Sequence, residues 1–543
     1  TLFRSKTSVT GSKDNNLAGD LYTTNGESLD WNSNAFLYYT RSFNKQHNLN
    51  VSAGWEAASG TTESTNAHYR GFPSGEFHSL NYAAEVYKKP TRTENTTRRV
   101  SVLASANYTW NDIYLVDASV RFDGSSEFGA NQKWAPFFSG GLGVNIHNYD
   151  FFKSNGYINK LKLRASYGRT GKVNFPAYAA TTMYETLFDE WYITGYGAVL
   201  KALGNKDLTW EKTDKLSVGI ETKTFHDRLT VDFEYYYNKT IDLVNDVTLS
   251  QTSGFSTYKD NMGQVANKGV ELKLRADIYR DRNWNVALWG NMAHNKNEIL
   301  KISDSQKAYN ERVAAYYKNE ALYQETLGLS HGAEYSVPLP QYEEGASLTS
   351  IWAVRSLGID PTTGKEIFLN RDGSIADKWN AAQEVVVGNT EPKCSGAFGL
   401  NLSYKNWTLF ASFLYEWGGQ EYNQTLVNNV ENADLVNKNV DLRVLTDRWK
   451  KPGDIAQFKD IKDRGMTTLP TSRFVQDKAL VRLNSLNVSY DFNRDWIKKH
   501  LRMNLLRLEA STSDLINWSS IKQERGLSYP RSWKVEFSLK AQF

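Results

Sequence analysis

The chain has 543 residues, a formal net charge of +4 and a single cysteine, Cys394. That charge balance is a weak basis for phosphate contacts, so nucleic acid is not an expected partner. One cysteine excludes an intrachain disulfide and a multi-cysteine zinc site, and no apolar run approaches the ~20 residues of a transmembrane helix.

The opening residues Thr1-Leu2-Phe3-Arg4 are neither a signal peptide nor a Met start, so the numbering is expected to begin inside a longer precursor. From there the dominant signal is a period of two. Segments 34–43, 48–57, 98–110 and 113–123 come first. In the last of them Tyr114, Val116, Ala118, Val120 and Phe122 alternate with Leu115, Asp117, Ser119 and Arg121. Segments 134–146 and 158–168 follow, the second setting Leu161, Leu163, Ala165 and Tyr167 against Lys162, Arg164, Ser166 and Gly168. The pattern continues at 210–225, 229–240, 265–279 and 284–298, then at 397–404, 407–417, 479–490 and 503–512. It closes at 533–543 with Trp533, Val535, Phe537, Leu539, Ala541 and Phe543 on one face. Such alternation predicts about fifteen strands, each with one apolar and one polar face. In 479–490 the phase changes: Val481 and Leu483 share one face, Leu486, Val488 and Tyr490 the other. A β-bulge near Asn484 reconciles them.

Many of these segments are long enough to meet the ~9–11 residues that a membrane-spanning strand needs. Trp and Tyr (16 and 31) outnumber Phe (25), and several apolar faces end in them: Trp55, Trp110, Tyr237, Trp284, Trp407, Trp417, Tyr490 and Trp533. Rings with a polar handle at strand ends are the pattern of an interfacial girdle. Short polar turns at 44–47, 110–112, 226–228, 280–283 and 405–406 alternate with long connections at about 58–97, 169–208, 241–264, 300–393 and 418–477. The turn 491–502 is longer than its side of the pattern predicts. A soluble β-rich protein would also alternate, but strand length, loop rhythm and aromatic ends favour an all-β, antiparallel transmembrane barrel wall. An odd count that starts and ends on the short-turn side cannot close an even-stranded barrel, so further strands are expected before Thr1.

Chemistry is absent from the motifs. Eight scattered histidines form neither HxH nor HExxH. Gly168-Arg169-Thr170-Gly171-Lys172-Val173 lacks the first glycine and the Ser/Thr of a phosphate loop. Asn370-Arg371-Asp372-Gly373 resembles the end of a calcium loop, but Phe368 stands at its first ligand position and no Glu at its twelfth, so a turn is expected. No catalytic residue, metal or cofactor is expected, and the chain is not read as an enzyme. The charges Glu221, Asp232, Glu234, Glu271, Lys273, Arg275, Asp277, Glu416, Lys534 and Glu536 would line a lumen, chiefly as a solvated wall of mixed sign. The long connections hold aromatic clusters, Trp191, Tyr192 and Tyr196 in one, Tyr316 and Tyr317 in another. These five are the candidate contacts to a substrate or to a covering partner.

Several phrases resemble a known family. Residues 113–129, Ile-Tyr-Leu-Val-Asp-Ala-Ser-Val-Arg-Phe-Asp-Gly-Ser-Ser-Glu-Phe-Gly, are similar to the "YLVDASVRxDGSSxFG" stretch of the SusC/RagA family of TonB-dependent outer-membrane transporters. Residues 163–171 resemble its "LRASYGxTG", 207–213 its "LxWEKT" and 261–271 its "NxGxVxNKGVE". Gly388-Asn389-Thr390-Glu391-Pro392, Arg448-Trp449 with Pro452-Gly453-Asp454, Ser472-Arg473-Phe474-Val475 and Tyr529-Pro530-Arg531 continue in family order. The customary "GQNL" wording is lost near Ser511-Thr512-Ser513-Asp514-Leu515. The resemblance implies that residues 1–543 are the C-terminal portion of a plugged barrel of about 22 strands. The plug and about seven N-terminal strands would then lie on a companion chain. It further implies outer-membrane localisation and active import of oligosaccharides or oligopeptides. The implied partners are a SusD-like surface lipoprotein, TonB acting through the plug, and outer-membrane lipid. Phe543, an aromatic C-terminal residue after an alternating strand, is implied as the assembly signal. The alternative is a non-transporting β-barrel scaffold or surface adhesin.

Overall fold

The computed structural model describes residues 2–5, 19–72, 79–153, 156–173, 175–193, 195–248, 257–261, 263–304, 306–308, 310–311, 341–435, 437, 440–465, 468–492, 494–521 and 534–543. Its dominant element is one antiparallel sheet of seventeen strands, of which fifteen form a continuous wall. In chain order the first seven are β1 (Gly19–Phe43), β2 (His47–Arg70), β3 (Glu85–Trp110), β4 (Tyr114–Ser125), β5 (Trp134–Asn145), β6 (Ile158–Lys172) and β7 (Glu211–Thr224). The next four are β8 (Leu229–Ile241), β9 (Gln264–Arg280), β10 (Trp284–Lys301) and β11 (Cys394–Tyr404). The last four are β12 (Trp407–Tyr422), β13 (Val475–Asp491), β14 (Leu505–Thr512) and β15 (Val535–Gln542). Each pairs with the next. Two short pieces join them: Leu2–Ser5 beside the far end of β1, and Asn517–Ser519 beside β13. Among the described residues no pairing joins β1 to β15.

The period-two pattern explains the wall. Its apolar face points away from the protein: Leu37 is 81% exposed, Leu142 64% and Phe537 75%. In water such a continuous patch would not persist; in lipid it is the face that anchors the sheet. Aromatic contacts mark the short-turn edge: Trp110 on Tyr114, Trp284 on Tyr404 and Trp407 on Tyr490, with centroids 5.3, 4.2 and 4.8 Å apart. Consecutive left-handed residues close two of the short turns, Asn44-Lys45 and Asn111-Asp112. This is the backbone sense that continues the strand twist through a tight hairpin. The bulge falls where the phase changed: Ser412 faces Ser485, and Phe413 faces Leu483, leaving Asn484 unpaired in the register.

The connections depart from the sequence expectation. Most of 58–97 is strand, since β2 runs to Arg70 and β3 starts at Glu85. β1, with 25 residues, extends about 80 Å along its axis at ~3.3 Å per residue, far beyond bilayer thickness. Its upper part is rich in Ser, Thr and Asn on both faces, so hydrophobic alternation vanishes although the ladder continues. Threonine still favours the pleated backbone. Connection 169–208 contains a hairpin of Met183–Tyr192 and Gly195–Ala202, and 241–264 another of Val244–Thr248 and Thr257–Asn261. Connection 300–393 holds a four-stranded sheet of Ser350–Ile359, Glu366–Leu369, Ile375–Ala376 and Glu384–Asn389. The turn 370–374 sits inside that sheet as a hairpin, with Asn370 N–H donating to Ser374 O. On the short-turn side the long turn 491–502 is a helix, α1 (Arg494–Leu501), with Ile497 fully buried. A buried apolar residue on that helix accounts for the extra length.

Candidate functional site

The polar face of the wall carries ion pairs between strands. Arg164 on β6 donates to Asp232 and Glu234 on β8 at 2.9 and 2.7 Å. Lys160 meets Glu221 at 2.6 Å, and Lys478 lies 3.4 Å from Glu416. Along a single strand, Arg275 pairs with Asp277, and at the start of β15 Lys534 pairs with Glu536. The expected wall of mixed charge is therefore largely matched pairs. Partly exposed pairs of this kind add little stability, but they keep a water-filled face polar without a net field. The sequence reading named the carboxylates and missed some of their partners, Lys160, Arg164 and Lys478. Alternation puts each on the polar side of its strand, but in register they face Lys223, Gly219 and Gly419, so each meets its acid on a diagonal or one strand further, which no local signal marks.

The phrases that carried the family resemblance converge at the long-loop end of this face. Phe128 stacks on Trp210 at 4.2 Å, and Phe137, Phe175, Ala180 and Leu208 complete an apolar cluster that fastens loop 169–208 to the wall. A Cβ on Gly129 would lie 2.0 Å from Lys206 O, so the close approach of these two segments requires glycine there. Glu211 accepts the Val244 N–H at 2.9 Å, and Asn261 holds Thr209 and Asp242 through its side chain. Asn267 accepts from Asn295 and Asn297, which also bond Glu391 of the Gly388–Pro392 stretch. These residues are tie-points that carry folded loops on strand ends.

Loop 418–477 has its own core. Val427, Val430 and Phe474 are fully buried, packed with Leu426, Val444 and Phe458. Arg473 reaches Glu431 at 2.7 Å and Glu366 at 2.9 Å, joining this core to the four-stranded sheet of connection 300–393. Burial pulls the Arg473 guanidinium down, but the two carboxylates outweigh it and hold it charged. Arg448 donates to the carbonyls of Val430, Glu431 and Lys459, and Trp449 Nε1 to Pro361 O at 2.8 Å. Burial lowers the pKa of Lys459, whose Nζ donates to Thr468 Oγ1. In the neighbouring sheet, burial pushes the Glu384 carboxyl up to about 7, against a hydrogen bond from Gln341 and the charge of Arg371.

The aromatic candidates are placed unevenly. Trp191 and Tyr192 end the strand Met183–Tyr192, in register with Tyr196 and Gly195 at the tip of the hairpin. Tyr196 is exposed. Tyr316 and Tyr317 lie outside the described residues. Phe543 stands exposed just beyond β15. Among the described residues no group of three or more His, Cys, Asp and Glu could hold a metal ion.

The model of the family described as TonB dependent receptor-like, beta-barrel matches residues 3–505. "TonB-dependent receptor P39" of Formosa agariphila is 26% identical over 95% of this chain and 53% of its own length. "TonB-dependent receptor SusC" of Bacteroides thetaiotaomicron is 29% identical over 44% of this chain and 25% of its own. Among solved structures, the RagAB peptide importer in its "open-open" state superposes with a TM-score of 0.82 at 22% identity, covering 100% of this chain and 57% of that one. The chain spans about half the length of the curated relatives it matches. With an apolar outward face, an ion-paired inner face and folded loops on one edge, the chain belongs to the TonB dependent receptor-like β-barrel family of the outer membrane.

Proposed function

We propose that the protein containing this chain imports nutrients actively across the outer membrane, taking oligosaccharides or oligopeptides. A SusD-like lipoprotein delivers cargo to the long-loop side, and TonB opens the lumen by displacing a plug. The plug and the strands that complete the wall come from sequence outside residues 1–543, on a companion segment or chain. The reading assigns no catalytic step. The observation that carries it is the inner face: a polar, ion-paired surface beneath a rim of folded loops, behind a lipid-facing apolar surface. That arrangement suits wet passage. Trp191, Tyr192, Tyr196, Tyr316 and Tyr317 are the proposed contacts to lipoprotein or cargo. Photo-crosslinkers placed at Tyr196 should capture the lipoprotein, and those at His226 or Arg282 should not. Capture through the short turns alone would invert the two membrane sides and remove the delivery step. Phe543 is proposed as the assembly signal: deleting it should lower outer-membrane levels more than Leu539→Ala does, and equal losses would leave it one more lipid-facing ring.

A further inference from the structure

A cavity of about 360 Å³ opens at the long-loop end of the inner face, lined among others by Arg99, Ser101, Arg121, Asp123, Lys172 and Trp210. Its cations are held in place from behind. Arg121 donates Nε to Asp123 at 2.5 Å and Nη2 to Glu56 and to Ser101 Oγ at 2.9 and 2.8 Å. Arg99 Nη2 reaches the buried Glu127 at 3.3 Å, and Ser125 Oγ donates to the same carboxylate. These bonds engage the local carboxylates and leave a surplus of donors. Lys172, which faces Glu211 in the ladder, makes no ion pair or hydrogen bond through Nζ among the described residues, and neither Arg121 Nη1 nor Arg99 Nη1 has a hydrogen bond there. Trp210 is 6% exposed, and its Nε1–H is buried without an acceptor. A buried indole N–H of this kind is costly unless something accepts from it.

We propose that this cavity is a subsite for an oxyanion, a carboxylate or sulfate-type group carried by the cargo. Such a group supplies several acceptor oxygens at once. It takes charge-assisted bonds from Arg99, Arg121 and Lys172, which are stronger than bonds to a neutral hydroxyl, and it lies beside the Trp210 indole, which lines the cavity. The guanidinium of Arg121 is already oriented by Asp123 and Glu56, so little side-chain freedom is lost on binding. The proposal rests on the import reading and narrows it to acidic cargo.

The test uses the complete transporter in detergent with ¹⁵N-labelled tryptophan indoles, titrated with sodium sulfate, with sodium acetate and, as an ionic-strength control, with sodium chloride. Trp210→Phe identifies the Trp210 resonance by its loss. That resonance should shift saturably with sulfate, acetate or both, and not with chloride; the two arms tell which oxyanion shape fits. Lys172→Met should weaken the titration about tenfold, the size of one lost charge-assisted bond, and Lys172→Arg should restore it. No shift with either oxyanion, a shift matched by chloride, or an unchanged titration in Lys172→Met overturns the proposal. The measurement needs neither TonB nor uptake, so its failure leaves import standing, and a failure of import leaves the binding result readable.

Discussion

The wall and the folded loop 418–477 invert one another. In the wall, large apolar side chains such as Leu37 and Phe537 are exposed and charged groups face the interior surface in pairs. In the loop, Val427, Val430 and Phe474 are fully buried, and the ion pair of Arg473 with Glu431 and Glu366 is buried among them. Both obey one rule under two solvents. Lipid is as apolar as a leucine side chain, so the wall gains nothing by hiding its apolar face and must instead satisfy every backbone group through its ladder. The loop lies in water and needs a core to hold it. Low solvent exposure therefore locates the stabilising centre of the loop and says little about the wall.

Three measurements press on that contrast. The largest effect is expected at Arg473. Replacing it with Ala leaves Glu431 and Glu366 buried without their cation, a cost of about 3–5 kcal/mol for a broken buried pair. Limited proteolysis should then cut within 418–477 while heat-modifiability of the barrel on gels stays unchanged. If the wall loses its heat-modifiability too, the two regions are not separable as argued.

The next concerns the wall. Val120 on β4 is exposed, faces Ala104 and Phe138 in register, and lies on the lipid side. Val120→Arg should destabilise by about 2–4 kcal/mol if it sits near mid-bilayer, whereas Ser119→Arg on the polar face should be tolerated. Unfolding of both variants from liposomes in urea compares them directly. Equal losses would contradict the assignment of faces.

The smallest effect is a pH dependence confined to the loops. The Glu384 carboxyl is raised to about 7 by burial, above its ordinary 4.5. A raised acid binds its proton more tightly in the folded state. Its contribution is fully present below about 4.5 and is lost as pH rises through about 7. Between pH 6 and pH 8 the sheet around 350–389 should lose about 1 kcal/mol of local stability. Hydrogen exchange of that segment, taken relative to the intrinsic rate of each amide at each pH, should quicken over this range and become flat in Glu384→Gln. A wild-type profile without slope would mean that Glu384 is ionised throughout.

The position of Asn484 shows how far local pattern reaches. Two residue sets on opposite phases specified a bulge there, and the register skips that residue. The upper halves of β1, β2 and β3 show where pattern stops. Segments such as Thr61-Thr62-Glu63-Ser64-Thr65 pair with Asn95 and its neighbours, yet neither face is apolar. A ladder in water is held by backbone bonds to an adjacent strand, and periodicity records only the burial of side chains.

The number of wall strands, the sense of alternation, the short-turn edge and the aromatic ends were all determined by the sequence itself, because each depends on neighbours one or two residues away and on the two solvents that the faces meet. The ion-paired inner face, the rim tie-points and the cavity at Trp210 were decided only by tertiary structure. Arg473 and Glu366 lie 107 positions apart, Arg121 and Glu56 lie 65 apart, and Arg164 and Glu234 lie 70 apart. Alternation tells which face each of these side chains occupies. Only the register between strands and the folding of the loops decides which opposite charge it meets, and that depends on contacts no local spacing encodes.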